Sequence, residues 1–194
     1  SDLTRIQDGV NKHRPGYDLT FSAPKSVSML AMLGGDKRLI DAHNRAVTVA
    51  LNQVESLAST RVKRDGVSET VLTGNLIIAR FNHDTSRAQD PQIHTHSVVI
   101  NATQNGDKWQ TLASDTVGKT GFSETILANR IAFGKIYQNS LRADVESMGY
   151  KTVDAGRNGM WEMEGVPVES FSTRSQELRE AAGPDASLKS RDVA

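Results

Sequence analysis

The stretch IHTHSVVIN, residues 93 to 101, restricts the fold more than any other part of the chain. It is rich in β-branched residues and reads as a strand, on which successive side chains point to opposite faces. His94 and His96 therefore point the same way, which places two of the chain's five histidines on one face. A third, His83, ends the preceding strand-like run LIIARFNH. If the two runs pair as a hairpin, directly opposed residues keep a constant sum of residue numbers. Pairing His83 with His94 or with His96 makes that sum odd, so in any such register all three imidazoles share a face, with opposed Cβ atoms about 5 Å apart.

Three imidazoles at that separation can close on one divalent ion and leave positions open for water or substrate, as catalytic metal sites do. Ligand softness alone favours zinc, copper or nickel over magnesium. The ten residues between His83 and His94, DTSRAQDPQI, exceed the usual hairpin loop, and long ordered loops often carry function. The bland alternative for His94 and His96 by themselves is a pair of half-exposed strand residues. It is the third histidine at hairpin distance that points to a metal.

Around this feature the chain reads as α+β. GYDLTFSAP alternates Tyr17, Leu19 and Phe21 with Asp18, Thr20 and Ser22, a strand whose polar face carries Asp18, there able to orient an imidazole or act as a base. KSVSMLAMLGG predicts a short helix stopped by Gly34 and Gly35. A longer helix follows over 36–59, its apolar stripe running through Leu39, Ala42, Ala46, Val49 or Ala50, and Val54. Turns are expected at Asp65 with Gly66 and at Asn105 with Gly106, and the consecutive strands they join predict an antiparallel meander. A long helix over 123–148 has Ser123 as its expected cap and Gly149 as its stop. A hairpin around Arg157 and Asn158 and a last helix in VESFSTRSQELREAAG complete one domain spanning 1–194: a central antiparallel sheet flanked by helices.

No apolar run approaches a membrane span, and SDLTRIQDGV lacks the features of a secretion signal. With no cysteine, neither a disulfide nor a thiolate metal site is available, and the cytoplasm is the expected compartment. The 23 basic and 23 acidic residues cancel, so a nucleic-acid partner needs a local patch. On the long helix Arg130 falls near the centre of the apolar stripe formed by Ile126, Phe133, Tyr137, Leu141, Val145 and Met148. It must pair with a core carboxylate, or sit where the stripe leaves the core and meets a ligand. Gln138 lies toward the same side; arginine and glutamine are side chains that reach guanine and adenine edges, and with Arg87 these two are the candidate DNA contacts. ASDTVGKT, residues 113 to 120, resembles a phosphate-binding loop, but it follows a polar, antiparallel-looking strand and reads as a turn before a helix.

With these residues placed, the chain resembles the TrwC-type relaxases of conjugative plasmids, enzymes of the HUH type, over essentially its whole length. The resemblance is carried by HRPGYDLTFSAPKSVSMLAMLGGDKRLIDAHN, FNHDTSRAQDPQIHTHSVV, VGKTGF and GMWEMEGVPVE. It implies a transesterase acting on single-stranded plasmid DNA at the origin of transfer. His83, His94 and His96 would hold a divalent ion, magnesium or manganese by the family's habit rather than the zinc, nickel or copper that softness favours. A tyrosine attacks the scissile phosphate, leaving a 5′-phosphotyrosyl link, and Asp18 serves the histidines or the tyrosine. The resemblance further implies accessory proteins of the relaxosome as partners and an ATP-dependent helicase region in the parent protein.

In this family the nucleophilic tyrosines belong to an N-terminal strand rich in paired tyrosines, which none of Tyr17, Tyr137 and Tyr150 matches. The chain is therefore expected to be a fragment, without its N-terminal strand and its helicase region, that keeps the metal site and does not nick DNA, and whose exposed sheet edge invites self-association. The other readings are a non-catalytic module that binds single-stranded DNA, a His-x-His oxygenase, for which HSVVINAT lacks the usual glutamate, and a structural metal site, which usually needs a fourth ligand.

Overall fold

The structure is a computed structural model that describes residues 5–7, 10–12, 15–114 and 121–171. A short ribbon of β1 (Arg5–Gln7) and β2 (Val10–Lys12) precedes the first strand of the main sheet, β3 (Gly16–Ser22). Two helices follow, α1 (Lys25–Met32) and α2 (Arg38–Ser56), and then the strands β4 (Ser59–Arg64), β5 (Val67–Leu72), β6 (Ile78–Thr85), β7 (Pro91–Ile100), β8 (Thr103–Asn105) and β9 (Lys108–Gln110). The long helix α3 (Phe122–Ser147) leads to the hairpin of β10 (Thr152–Asp154) and β11 (Trp161–Met163).

The expected meander does not form. The main sheet has three antiparallel strands in the order β3-β7-β6, while β4 with β5, β8 with β9 and β10 with β11 are separate ribbons. One reason is local. Asp65 and Gly66 both take positive φ, 49° and 81°, the conformation of a two-residue turn that commits β4 and β5 to each other. The other is tertiary: β3 occupies the second edge of β7 along its whole length, from Gly16 opposite Ile100 to Ser22 opposite His94.

Alternation divides this sheet into two unlike faces. Tyr17, Leu19 and Phe21 of β3, Ile93, Thr95, Ser97 and Val99 of β7, and Ile78 of β6 turn inward, where Phe21, Ile93 and Val99 join the buried core. Helices α1, α2 and α3 all pack on this side. Leu39, Ala42, Ala46, Val47, Ala50 and Leu51 of α2 meet Tyr137, Leu141 and Val145 of α3 in one cluster. Of the two alternatives on the α2 stripe it is Ala50 that is buried, while Val49 is 42 % exposed. The small residues at fourfold spacing let the α3 side chains approach the α2 backbone closely.

Both α1 and α3 begin differently from what local capping rules suggest. Ser123 does not cap α3. That position belongs to Gly121, in extended conformation and without a side-chain bond, and Ser123 lies inside the helix, buried. Its hydroxyl bonds Tyr17 of β3 and reaches the Ala113 carbonyl at 3.5 Å, partners that only the fold supplies. Pro24 cannot cap α1 with its side chain, and the Glu162 carboxylate of β11 does so from a distance, accepting from the Ser26 amide at 2.9 Å and from the Ser26 hydroxyl. An anion at a helix N-terminus is favoured by the helix dipole. The expected last helix shows a single 3-10 turn, Val168–Phe171; its remainder, and residues 115–120 of the glycine-rich loop, lie outside the described residues.

His43 of α2 is buried beneath β7, 1 % exposed, with Nδ1 2.6 Å from the Tyr137 hydroxyl and Nε2 2.7 Å from Thr95 Oγ1. Burial, followed by the nearby charges of Arg80 and His94, pushes its pKa down from 6.5 to about 4. The folded value lies below the unfolded one, so the unfolded chain binds the extra proton. Stability from the neutral ring is complete above pH 6.5 and is lost as pH falls toward 4, by about 1.4 kcal/mol per pH unit. Urea unfolding should show the stability advantage of wild type over His43→Gln shrinking across that window. In the same assay at pH 7, Glu162→Ala should cost about 1–3 kcal/mol, because it strands the Ser26 amide.

Candidate metal centre

The face of the sheet opposite the helices carries the histidines. His83 of β6 stands directly opposite His94 of β7, and His96 stands between Phe81 of β6 and Thr20 of β3. The hairpin register is thus one of the two that place all three imidazoles together. Their ring centroids form a triangle with sides of 5.1, 5.3 and 5.5 Å.

That spacing suits a shared ion. With a metal–nitrogen distance near 2.1 Å, imidazole centres lie roughly 3.2 Å from the metal, and at tetrahedral angles about 5.3 Å from each other. The tilt differs: His83 and His94 lie within 17° of parallel, and among the described residues no group of three or more His, Asp or Glu side chains is arranged to hold a metal ion as it stands. Loading the site therefore requires the rings to turn without moving apart.

The donor chemistry also fits. His96 Nδ1–H donates to Asp18 Oδ2 at 2.9 Å, with Thr20 Oγ1 at 3.1 Å, and His94 Nδ1–H donates to the Gln92 carbonyl at 3.0 Å. Carboxylate and carbonyl oxygens only accept, so they place the proton on Nδ1 and leave the Nε2 lone pairs for a cation. Asp18 occupies the position that strand alternation predicts, on the open face of β3. Ser28 of α1, buried, supports the strand just before His94 by accepting from the Ile93 amide at 2.9 Å.

The ten residues between His83 and His94 are not one long loop. β6 continues to Thr85, which pairs with Pro91 after a register shift following His83. Only residues 86–90 turn, closed by the Ser86 amide on the Asp90 carbonyl at 2.9 Å. Proline is tolerated there because the first residue of a strand can forgo its donor. Arg87 lies exposed in this turn.

Arg130 is exposed, where the α3 stripe leaves the core. It lines a groove of about 330 Å³ between the outer edge of β3 and α3, together with Asp18, Thr20 and Ile131. Gln138 is buried; its Nε2 donates to the Ser22 carbonyl at 3.1 Å, and its Oε1 has no partner among the described residues. The tyrosines are elsewhere. Tyr137 is buried on α3, Tyr17 faces inward to Ser123, and Tyr150 donates to Asp36 at 2.5 Å, a bond that raises its pKa. Sequence reasoning missed His43 and Ser28. The available signal for His43 was a polar residue inside an apolar stripe, four residues after Leu39 and three before Ala46.

The family model described as TrwC relaxase matches residues 2–192. Two Escherichia coli proteins called multifunctional conjugation protein TraI, one from strain K12, are 74% and 70% identical over all 194 residues, which amount to 11% of their length. The solved structure of conjugative relaxase TrwC with OriT DNA in metal-bound form superposes with a TM-score of 0.78 at 34% identity, covering 97% of this chain and 65% of that one. TrwC with a 27-mer DNA comprising the recognition hairpin and the cleavage site gives 0.79 at 33%, covering 97% and 67%. A copper-bound TrwC–OriT complex gives 0.78 at 34%, covering 96% and 64%.

Calorimetric titration with manganese should show one site that is abolished when His83, His94 and His96 are all alanine. Asp18→Asn should keep the site but weaken it by about 10- to 100-fold, because an amide anchors the His96 proton less firmly.

Proposed function

The chain belongs to the TrwC relaxase family, and on that premise we propose that it carries the phosphate-binding part of a metal-dependent, strand-specific DNA transesterase. The observation behind this reading is the triangle of imidazoles on the open face of the sheet, with Asp18 and the Gln92 carbonyl holding two of the rings from behind. Nε2 of His83, His94 and His96 would hold a divalent ion, which when bound supplies positive charge to a DNA phosphate. The metal-bound and copper-bound TrwC complexes support a site of this kind; magnesium or manganese is the proposed ion in cells.

The proposed substrate is single-stranded DNA at an origin of transfer, a reading supported by the TrwC complexes with OriT DNA. The exposed Arg130, in the groove it shares with Asp18 and Thr20, would take a DNA phosphate or a guanine edge. Arg87, exposed in the turn between β6 and β7, would add a second cation for the DNA backbone. Gln138 would meet a base only by releasing Ser22, offering both an acceptor and a donor. In the whole protein the scissile phosphate passes to a tyrosine with a free 3′-hydroxyl as leaving group, the start of conjugative transfer. Tyr17, Tyr137 and Tyr150 are all engaged away from the histidine face, so this chain binds the strand and does not cut it.

The competing reading is a single-stranded DNA-binding module with no metal chemistry. Fluorescence anisotropy with an oligonucleotide carrying an origin-of-transfer cleavage site separates the two. Manganese should tighten binding in wild type and have no effect once the three histidines are alanine, while Arg130→Ala should weaken binding about tenfold and flatten its salt dependence. Mass spectrometry should find no covalent adduct. An adduct on any of the three tyrosines overturns the assignment of this chain to binding alone, and affinity indifferent to metal and histidines favours the plain binding module.

A further inference from the structure

The histidine face has a counterpart on the buried side of the same two strands. Thr95 lies between His94 and His96 in sequence, and Asn82 immediately precedes His83; opposed in the β6–β7 register, both lie on the helix side of the sheet, Thr95 buried and Asn82 at its exposed margin. Thr95 Oγ1–H donates to Asn82 Oδ1 at 2.7 Å. Having given its only proton away, Thr95 must accept from His43, whose Nε2 stands 2.7 Å off. His43 therefore carries its proton on Nε2, and its Nδ1 lone pair accepts from the Tyr137 hydroxyl at 2.6 Å. Asn82 Nδ2 completes the run on Asn44 Oδ1 at 3.2 Å. Every donor points one way along Tyr137, His43, Thr95, Asn82 and Asn44, and His43, Thr95 and Tyr137 are each at most 1 % exposed.

We propose that this relay positions the three histidines: it ties the residue between His94 and His96 to the residue beside His83, and both to helices α2 and α3. The rings must turn to load an ion without moving apart, which needs a backbone that does not slide or twist beneath them. A hydroxyl at Thr95 that accepts from one layer and donates across the strand pair supplies that constraint, whereas apolar packing would tolerate small shifts. His43, Thr95 and Asn82 are positioning residues that touch neither metal nor DNA. The inference rests on the three histidines being ligands.

The test uses the full chain. Manganese affinity is measured by calorimetry, and the ring resonances of His83, His94 and His96 are followed by ¹H–¹⁵N NMR in metal-free protein. Thr95→Val and His43→Leu should each weaken manganese binding by about tenfold or more, the scale of lost outer-shell support, and should displace the three ring signals. Thr95→Ser and His43→Gln, which keep a hydroxyl and an N–H donor, should stay within about threefold of wild type, a rescue that a purely volumetric role would not produce. Valine matching wild type in both readouts, or serine failing as badly as valine, overturns the proposal. If the valine variant does not fold, Tyr137→Phe decides: the ring signals move and affinity falls, or the relay has no positioning role. Wild type that takes up no manganese defeats the ligand reading instead, and the metal-free ring signals then judge the relay by themselves.

Discussion

The pairing of β7 on both of its edges is the constraint on which the rest of this molecule depends. One strand with strict alternation cannot slip by a single residue without exchanging its faces, and here the exchange would bury His94 and His96 while expelling Ile93, Thr95, Ser97 and Val99. β6 and β3 hold that register from opposite sides, and each also contributes to the site: β6 brings His83 opposite His94, and β3 brings Asp18 within reach of His96. The apolar energy of the core and the geometry of the histidines are thus enforced by the same hydrogen-bond ladder.

The two faces divide the labour unequally. The inner face is sealed by α1, α2 and α3, and its polar groups are mostly satisfied by one another, from Ser28 on the Ile93 amide to the bonds of His43. The outer face is left open, with His83 exposed, His94 and His96 half-buried, and Phe81 at 53 % exposure beside them. A site that must admit a nucleic-acid strand needs that openness, and it obtains rigidity from behind instead of from a surrounding pocket. In this setting a neutral His43 matters: a charge buried directly beneath three histidines would oppose any cation they hold.

Legibility differed between levels. The triad was readable because a period of two on β7 and hairpin arithmetic with His83 are local rules. So were the Asp65–Gly66 turn, the stop of α1 before Gly34 and the face on which Asp18 lies. The meander does not form because turn residues specify which strands pair locally and say nothing about which edge a distant strand will occupy; β3, separated from β7 by two helices and three strands, takes it. Ser123 does not cap its helix because a serine at a helix start follows the local rule only when no better partner exists, and Tyr17 is one. The loop between the histidines is shorter than the ten-residue count suggests, because β6 runs on to Thr85 and β7 already begins at Pro91.

By itself the sequence determined the periodicities: which residues share a face, where the chain turns tightly, and that three imidazoles could meet. Only the tertiary structure decided what stands behind them. The partners of His43, Ser26 and Ser123 come from elements between 10 and 137 positions away, and hydrogen bonds over such separations leave no period in a sequence. They depend on how helices and sheet settle against each other, which is governed by the volume of the whole core and by no local rule.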